Sequence, residues 1–390
     1  MKILEINSVP YGSTASISLH IAKLARENGM DAKVAFGYSY HPMKGDYIKI
    51  GGYWNKAIHL MLSRITGLHG LFSKMATRRF LKWVKNYDPD IIHIHNLHGW
   101  YINIPMLVRY INDNHKKVVW TLHDCWALTG HCPHYDMIGC EKWKKECYDC
   151  PIYNKYPKSY VDASRRMHRL KKKWFGSIED LTLVTPSEWL KRQVELSYLK
   201  DRKCVVINNG IDLNTFMILP SVKGKNNKIH ILGVSFGWDE KKGLDVFIKL
   251  AELLDDNYEI TMVGTDDGVD KLLPSRIKSI HRTQNQKELV EIYNKSDVFV
   301  NTTREENFPT VNIEALACGL PVITFNTGGS SEIPDETCGI VVQKNDLDAL
   351  VTALESIKTK PFDKEICNKR AQSYNKDEKF MEYINLYKKA

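Results

Sequence analysis

The stretch Val298-Phe-Val-Asn-Thr-Thr-Arg-Glu-Glu306-Asn-Phe-Pro309-Thr-Val-Asn-Ile-Glu314-Ala-Leu-Ala-Cys-Gly319-Leu-Pro-Val-Ile-Thr-Phe325 holds one complete unit of fold. An apolar, β-branched run (Val298 to Asn301) gives way to a polar loop, then to a short helical pattern that stops at Gly319, and then to a second apolar run, Pro321 to Phe325. Pro309 suits a first helical turn, where its missing N–H has no partner to lose, and Gly319 followed by Pro321 is a usual stop. The expected order is strand, loop, helix, strand.

The same alternation runs through the chain. Strand-like runs fall at Lys2 to Asn7, Ala32 to Phe36, Asp90 to His95, Lys117 to Leu122, Leu181 to Val184 and Cys204 to Ile207. They resume at Ile229 to Val234, Tyr258 to Val263, Arg276 to Ile280, Val298 to Asn301, Pro321 to Phe325 and Gly339 to Val342. Strands alternating with helices predict parallel sheets with crossover connections. A length of 390 residues favours two domains. The stretch Pro220 to Asn227, without periodic pattern, marks the boundary. The expected division is 1–215, 216–375 and a C-terminal helix 376–390 packing back on the first domain. Both domains read as doubly wound α/β, facing across a cleft, with ligands beyond the carboxyl ends of the strands.

Within the opening stretch, the helix start would present free N–H groups and the positive end of its dipole, an arrangement that holds phosphate without a metal. Thr310 and Val311 are the expected amide donors. Glu314 lies about one turn in, with its side chain tilted back toward the helix start. Glu306 sits just before it. Beside a diphosphate these carboxylates suit hydroxyl donors, as a sugar and a ribose supply; on spacing alone they can equally be surface carboxylates.

The segment Glu306 to Val322 resembles the Glu-x7-Glu signature of the retaining glycosyltransferases of family 4, which have the GT-B fold of two Rossmann-like domains. Further matching pieces, in the same order, are Asp90-Ile-Ile-His-Ile-His95, Thr121-Leu-His-Asp124, Thr185-Pro-Ser187, Asn209-Gly-Ile-Asp212 and Lys242-Gly-Leu-Asp245. The resemblance implies that Glu306 contacts the donor sugar and Glu314 the ribose. It implies that the backbone between, including Asn307, Phe308, Thr310 and Val311, holds the diphosphate. It also implies that Lys242 neutralises phosphate and that Gly12, in Pro10-Tyr-Gly-Ser-Thr-Ala15, lets a backbone approach the donor. The chain departs from the family pattern between Val234 and Lys241, where the usual Arg is missing; Arg304 is one basic residue that could compensate. His123, at the end of a strand, is implied to contact the reacting sugar, although a lone His is more often structural. The chemistry implied is transfer with retention of anomeric configuration, with Glu306 and His123 in the catalytic roles and no cofactor required. The alternatives are a nucleotide-sugar epimerase of the same fold and a non-catalytic nucleotide-sugar-binding protein.

Five of nine cysteines fall between Cys125 and Cys150. Cys147-Tyr-Asp-Cys150 has metal-ligand spacing and, with Cys132 and Cys140, could form a structural zinc site; free thiols and disulfides are the other readings. The formal charge is +9. Basic residues gather at Lys56 to Lys85 and at Arg165 to Trp174, which can lie on an anionic membrane surface or be solvated helix faces. No nucleic-acid motif accompanies them. Met1 leads straight into the first strand-like run, and no apolar stretch reaches the roughly 18 residues of a spanning helix. The expected location is cytoplasmic, peripheral at the inner face of the cell membrane. The resemblance implies a glycan or lipid-linked sugar acceptor in bacterial capsule, exopolysaccharide or lipopolysaccharide assembly.

Overall fold

A computed structural model describes residues 1–39, 47–220 and 228–389. The chain divides into two compact units, Met1–Ile207 with Phe380–Ala390, and Asn208–Lys379. Of the proposed boundary stretch Pro220 to Asn227, residues 221–227 lie outside the described residues.

In the first unit, β1 (Lys2–Asn7), β2 (Asp31–Phe36), β3 (Ile48–Lys49), β4 (Ile91–Ile94), β5 (Lys117–Thr121), β6 (Leu181–Thr185) and β7 (Lys203–Val206) form a sheet in the order β3-β2-β1-β4-β5-β6-β7. Every pairing is parallel. Helices α1 (Ser13–Glu27), α2 (Tyr53–Thr66), α3 (Lys74–Tyr87), α4 (Ile104–Asp113), α5 (Ser164–Gly176) and α6 (Glu188–Glu195) connect the strands. All four residues of β4 are buried, as expected where helices cover both faces of a parallel sheet. Two-residue β3 is the strand that periodicity did not announce; it is too short to show any.

The second unit repeats the plan. Strands β8 (Ile229–Val234), β9 (Tyr258–Val263), β10 (Ile277–Ile280), β11 (Val298–Asn301), β12 (Val322–Phe325) and β13 (Gly339–Val342) are parallel in the order β10-β9-β8-β11-β12-β13. Helices α7 (Leu244–Leu253), α8 (Asp267–Asp270), α9 (Gln286–Lys295), α10 (Thr310–Ala317), α11 (Leu347–Thr359) and α12 (Lys364–Gln372) belong to this unit. The Asn209-Gly-Ile-Asp212 motif has a structural task here. Ile211 N–H donates to the Tyr374 carbonyl and Lys376 N–H to the Ile211 carbonyl, both at 3.0 Å, while Lys376 Nζ pairs with Asp212 at 2.6 Å. This anchors the start of α13 (Lys376–Lys389). Further along α13, Phe380, Tyr383, Ile384 and Tyr387 are buried in the first unit's core with Ile3, Ile91 and Val119. Among the described residues no helix is long and apolar enough to cross a membrane.

Candidate active site

In the second sheet β8 lies between β9 and β11. The chain winds outward in opposite directions from this pair of neighbours, so the loops after β8 and β11 leave a crevice at their carboxyl ends, where open α/β sheets bind ligands. Those two loops are tied together residue by residue. Lys241 Nζ meets Glu305 at 2.7 Å and Lys242 Nζ meets Glu306 Oε2 at 3.0 Å. Arg304 N–H donates to the Lys241 carbonyl at 2.7 Å. The Arg304 guanidinium grips Asp245 through both nitrogens, at 2.7 and 2.8 Å, and its Nε donates to Asn345 at 2.6 Å. Gly243, at φ +78°, makes the close approach possible: a Cβ there would fall 2.0 Å from Thr302 Oγ1.

Pro309 is the residue that caps α10 rather than its first helical residue. Its ψ of 115° is extended, so it steers the chain into the helix instead of forming its first turn. Thr310 and Val311 follow as the first helical residues, whose N–H groups have no carbonyl four residues back to bind. Glu306 is held on both sides. Its Oε1 accepts from Asn307 N–H at 3.1 Å and its Oε2 faces Lys242. From the loop after β12, Gly328 packs on its backbone so closely that a Cβ would lie 1.6 Å from the Glu306 carbonyl oxygen. Glu314, one turn into α10, accepts from the Tyr293 hydroxyl at 3.2 Å. Burial pushes its carboxyl pKa up to about 7, against the opposing hydrogen bonds from Tyr293 and Thr310.

The structure thus brings Lys242, Glu306, Thr310, Val311 and Glu314 onto one loop pair and the helix beside it. Asn307 and Phe308 differ from the others in being buried. The Phe308 ring packs against Tyr374, with centroids 5.7 Å apart, so only its backbone is left for a ligand. Arg304 does not make up for the missing Arg: its guanidinium is committed to Asp245 and the Glu240 carbonyl. Sequence reasoning missed Glu305, Tyr293 and Gly328, and of the two lysines Lys241 and Lys242 that could neutralise phosphate it carried forward only Lys242. The doublets Lys241-Lys242 and Glu305-Glu306 carried a usable signal, since facing pairs of opposite charge on neighbouring loops are natural partners.

In the first unit, Gly12 stands at φ 82° and ψ −179° before α1, a conformation suited to glycine. His123 follows β5 and lines a small open pocket with His95, Asn96, His98, Asp124 and Trp126. Asp124 accepts from Trp126 N–H and pairs with His98, both at 2.8 Å. Burial opposes its ionisation, but His98 and the Trp126 amide outweigh this and bring its pKa down to about 2. Burial, reinforced by neighbouring His95, keeps the His123 imidazole neutral, its pKa well below the ordinary value. Cys132, Cys140, Cys147 and Cys150, none of them disulfide-bonded, line another pocket, where Gly130 N–H donates to Cys147 Sγ at 3.2 Å. Among the described residues, three potential metal ligands lie within 4.8 Å of one another at Glu5, His93 and His95 and at Asp267, Asp270 and His281; the four thiols are spaced more widely. The basic run of α5 is split. Arg165 and Arg169 pair with Glu146 on the surface, whereas Lys171 is wholly buried, donating to the Trp126 and Thr129 carbonyls at 2.7 and 3.0 Å.

Comparison with known proteins bears on these features. Residues 22–215 match the family described as Glycosyltransferase Family 4, and residues 227–359 match Glycosyl transferases group 1. A relative of full length is the putative colanic acid biosynthesis glycosyl transferase WcaC of Escherichia coli, 27% identical, the match covering 99% of each chain. Among solved structures, the sucrose-phosphate synthase of Thermosynechococcus elongatus superposes with a TM-score of 0.72 at 16% identity, covering 100% of this chain and 98% of that one. HepE of Anabaena, solved in complex with UDP-glucose, gives 0.66 at 14% identity, with both chains fully covered. The fold is GT-B, two parallel-sheet α/β units in one chain.

Glu314 provides a test of the site's electrostatics that needs no ligand. Its folded pKa of about 7 lies above the ordinary 4.5, so the folded state binds this proton more tightly than the unfolded one. Its contribution is fully present below about pH 4.5 and is lost as pH rises through about 7. Glu314→Gln should therefore leave urea stability unchanged near pH 4.5 and raise it by about 1–3 kcal/mol near pH 8. Equal stability of the two proteins at both pH values would show that the carboxyl is well solvated.

Proposed function

The chain belongs to glycosyltransferase family 4, and from that premise we propose that it moves a sugar, with retention of anomeric configuration, from a nucleotide-diphosphate sugar to a glycan or lipid-linked sugar in bacterial surface-polysaccharide assembly. The observation that carries this reading is the Lys242–Glu306 pair, 3.0 Å apart beside the first turn of α10. A cation, a helix start and an acceptor-only carboxylate within one loop pair suit the diphosphate and the hydroxyls of one ligand. Lys242 and the Thr310 and Val311 amides stabilise the departing diphosphate, the charge that matters most when the anomeric carbon becomes positive. Glu306 orients the donor sugar, Glu314 takes the ribose hydroxyls, the Asn307–Phe308 backbone and Gly12 line the donor's path, and neutral His123 contacts the reacting sugar. Crystals of HepE from Anabaena hold UDP and UDP-glucose, and the relative WcaC is named for colanic acid biosynthesis; both support the donor and acceptor classes. Thermal stabilisation by UDP, GDP and ADP sugars would first identify the donor. Glu306→Gln should then lower kcat by on the order of 100-fold or more while nucleotide binding changes less than about threefold. Undiminished transfer would remove Glu306 from the site, and epimer formation from donor alone would replace transfer with epimerisation.

We also infer that the α2–α3 face rests on an anionic membrane. Trp54, Ile58, Met61 and Ile65, spaced to share one side of α2, are 74%, 51%, 53% and 53% exposed. Lys74, Arg78, Arg79, Lys82 and Lys85 of α3 are exposed as well. Apolar side chains that enter the headgroup region beside a basic helix match a negatively charged leaflet. The whole chain should float with phosphatidylglycerol vesicles and not with phosphatidylcholine vesicles, and Trp54→Ser with Ile58→Ser should weaken this about tenfold or more. Equal flotation of the variant would refute the face.

For the cysteine cavity we propose structural zinc. Cys132, Cys140, Cys147 and Cys150 line it together, the Gly130 amide already bonds one sulfur, and an ion would draw the four thiolates together to stabilise the insert. Elemental analysis of purified protein should find about one zinc per chain, falling in Cys147→Ser; metal-free wild-type protein would end this reading.

A further inference from the structure

Glu5 lies in the middle of β1 with no exposure to solvent, which is costly for a carboxylate unless its charge is met. It is met from three sides. His95 Nε2 lies 2.7 Å from Oε2, His93 Nδ1 lies 3.0 Å away, and the Tyr387 hydroxyl of α13 donates to Oε1 at 2.9 Å. Burial opposes ionisation, but His93 and the hydrogen bonds from both histidines prevail and hold the Glu5 pKa down at about 2. Glu5 is therefore an acceptor only. His95 is as deeply buried, and its other nitrogen, Nδ1, lies 2.9 Å from Nε2 of His123.

Protons can occupy this line in one consistent way. The nitrogen facing Glu5 must donate, so His95 carries its hydrogen on Nε2. Burial and nearby His93 bring the His95 pKa down to about 4, so near neutral pH its Nδ1 is bare and accepts. His123 must then carry its hydrogen on Nε2. On the far side, His93 Nε2 lies 2.8 Å from Thr121 Oγ1, which donates to the Tyr383 hydroxyl at 3.2 Å. Glu5, His93 and His95 are close enough to hold a metal, but hydrogen bonds among themselves and with Tyr387 and Thr121 already occupy these groups.

We propose that Glu5 is a positioning residue: acting through His95, its carboxylate locks His123 in the Nε2–H tautomer and so fixes how this imidazole meets the reacting sugar. The tautomer follows from the first unit alone; its use rests on the proposed role of His123. A carboxylate fixing the tautomer of a functional histidine is familiar chemistry, and here the effect passes through a second imidazole.

Nitrogen-15 NMR of protein labelled at histidine tests the lock without any sugar. The His123 signals, assigned by their loss in His123→Asn, should show a protonated Nε2 and a bare Nδ1 near neutral pH. The opposite tautomer, or an imidazolium, would overturn the proposal whether or not the chain proves to be a transferase. Glu5→Gln offers His95 either an oxygen or an N–H, so the His123 signals should become a mixture, and kcat should fall about tenfold with donor KM within about twofold. Tyr387→Phe also removes one hydrogen bond from Glu5, but off the line to His123. It should lower the melting temperature while leaving tautomer and kcat unchanged. A loss of kcat that follows melting temperature in both variants, or unaltered kcat in Glu5→Gln, would make the line mere scaffolding.

Discussion

The second unit depends on the tie between two loops that leave neighbouring strands in the same direction. Parallel β8 and β11 deliver the segments 235–243 and 302–309 to one end of the sheet, where nothing in the ladder holds them together. Charge and close backbone contact do so instead. The Arg304–Asp245 fork is the strongest element, because a planar guanidinium with two bonds to one carboxylate and a third to Asn345 has a single orientation. With that fork in place, Lys241–Glu305 and Lys242–Glu306 fall into line as successive pairs. Gly243 and Gly328 are the steric condition for the arrangement, since each lies where any Cβ would strike a neighbouring loop.

The difference between the two adjacent pairs is informative. The Glu305 side chain is 4% exposed although Lys241 is 48% exposed, so taking Lys241 away would strand a buried carboxylate. Glu306 and Lys242 are 23% and 36% exposed. Their attraction is weakened by water, and an incoming anion can take Lys242 without leaving a buried carboxylate stranded. One residue of register separates a clamp from a group free to exchange partners.

Much of this was legible in the sequence, for a definite reason. Strands buried on both faces are mostly apolar, so each of the predicted runs became a strand, while β3 escaped because two residues cannot display a pattern. Glu306, Glu314, Thr310 and Val311 could be placed because a loop followed by a capped helix fixes their spacing locally. Arg304 could not. Whether an arginine faces a ligand or a carboxylate depends on what a loop some 60 residues away presents, and nothing near Arg304 encodes that. Lys171 was hidden in the same way, as one of three consecutive lysines of which only the first turns inward to the Trp126 and Thr129 carbonyls. The role of Glu5 was equally invisible, since β1 read simply as a strand and the partners of Glu5 come from β4 and the far end of the chain.

The two units handle polar groups by opposite physical means. In the second, Lys242 and Glu306 stay partly wet and paired, so that charge remains available to an anionic ligand. In the first, Glu5 is wholly dry and its three donors are fixed, so what it passes on to His123 is not charge but the orientation of hydrogen bonds. Desolvation, which would be wasteful around a cation meant for phosphate, is what keeps His95 and His123 neutral. A neutral imidazole held in one tautomer suits a sugar, and a partly exposed ammonium suits a diphosphate. The burial of each group is thus matched to the chemistry of the partner proposed for it.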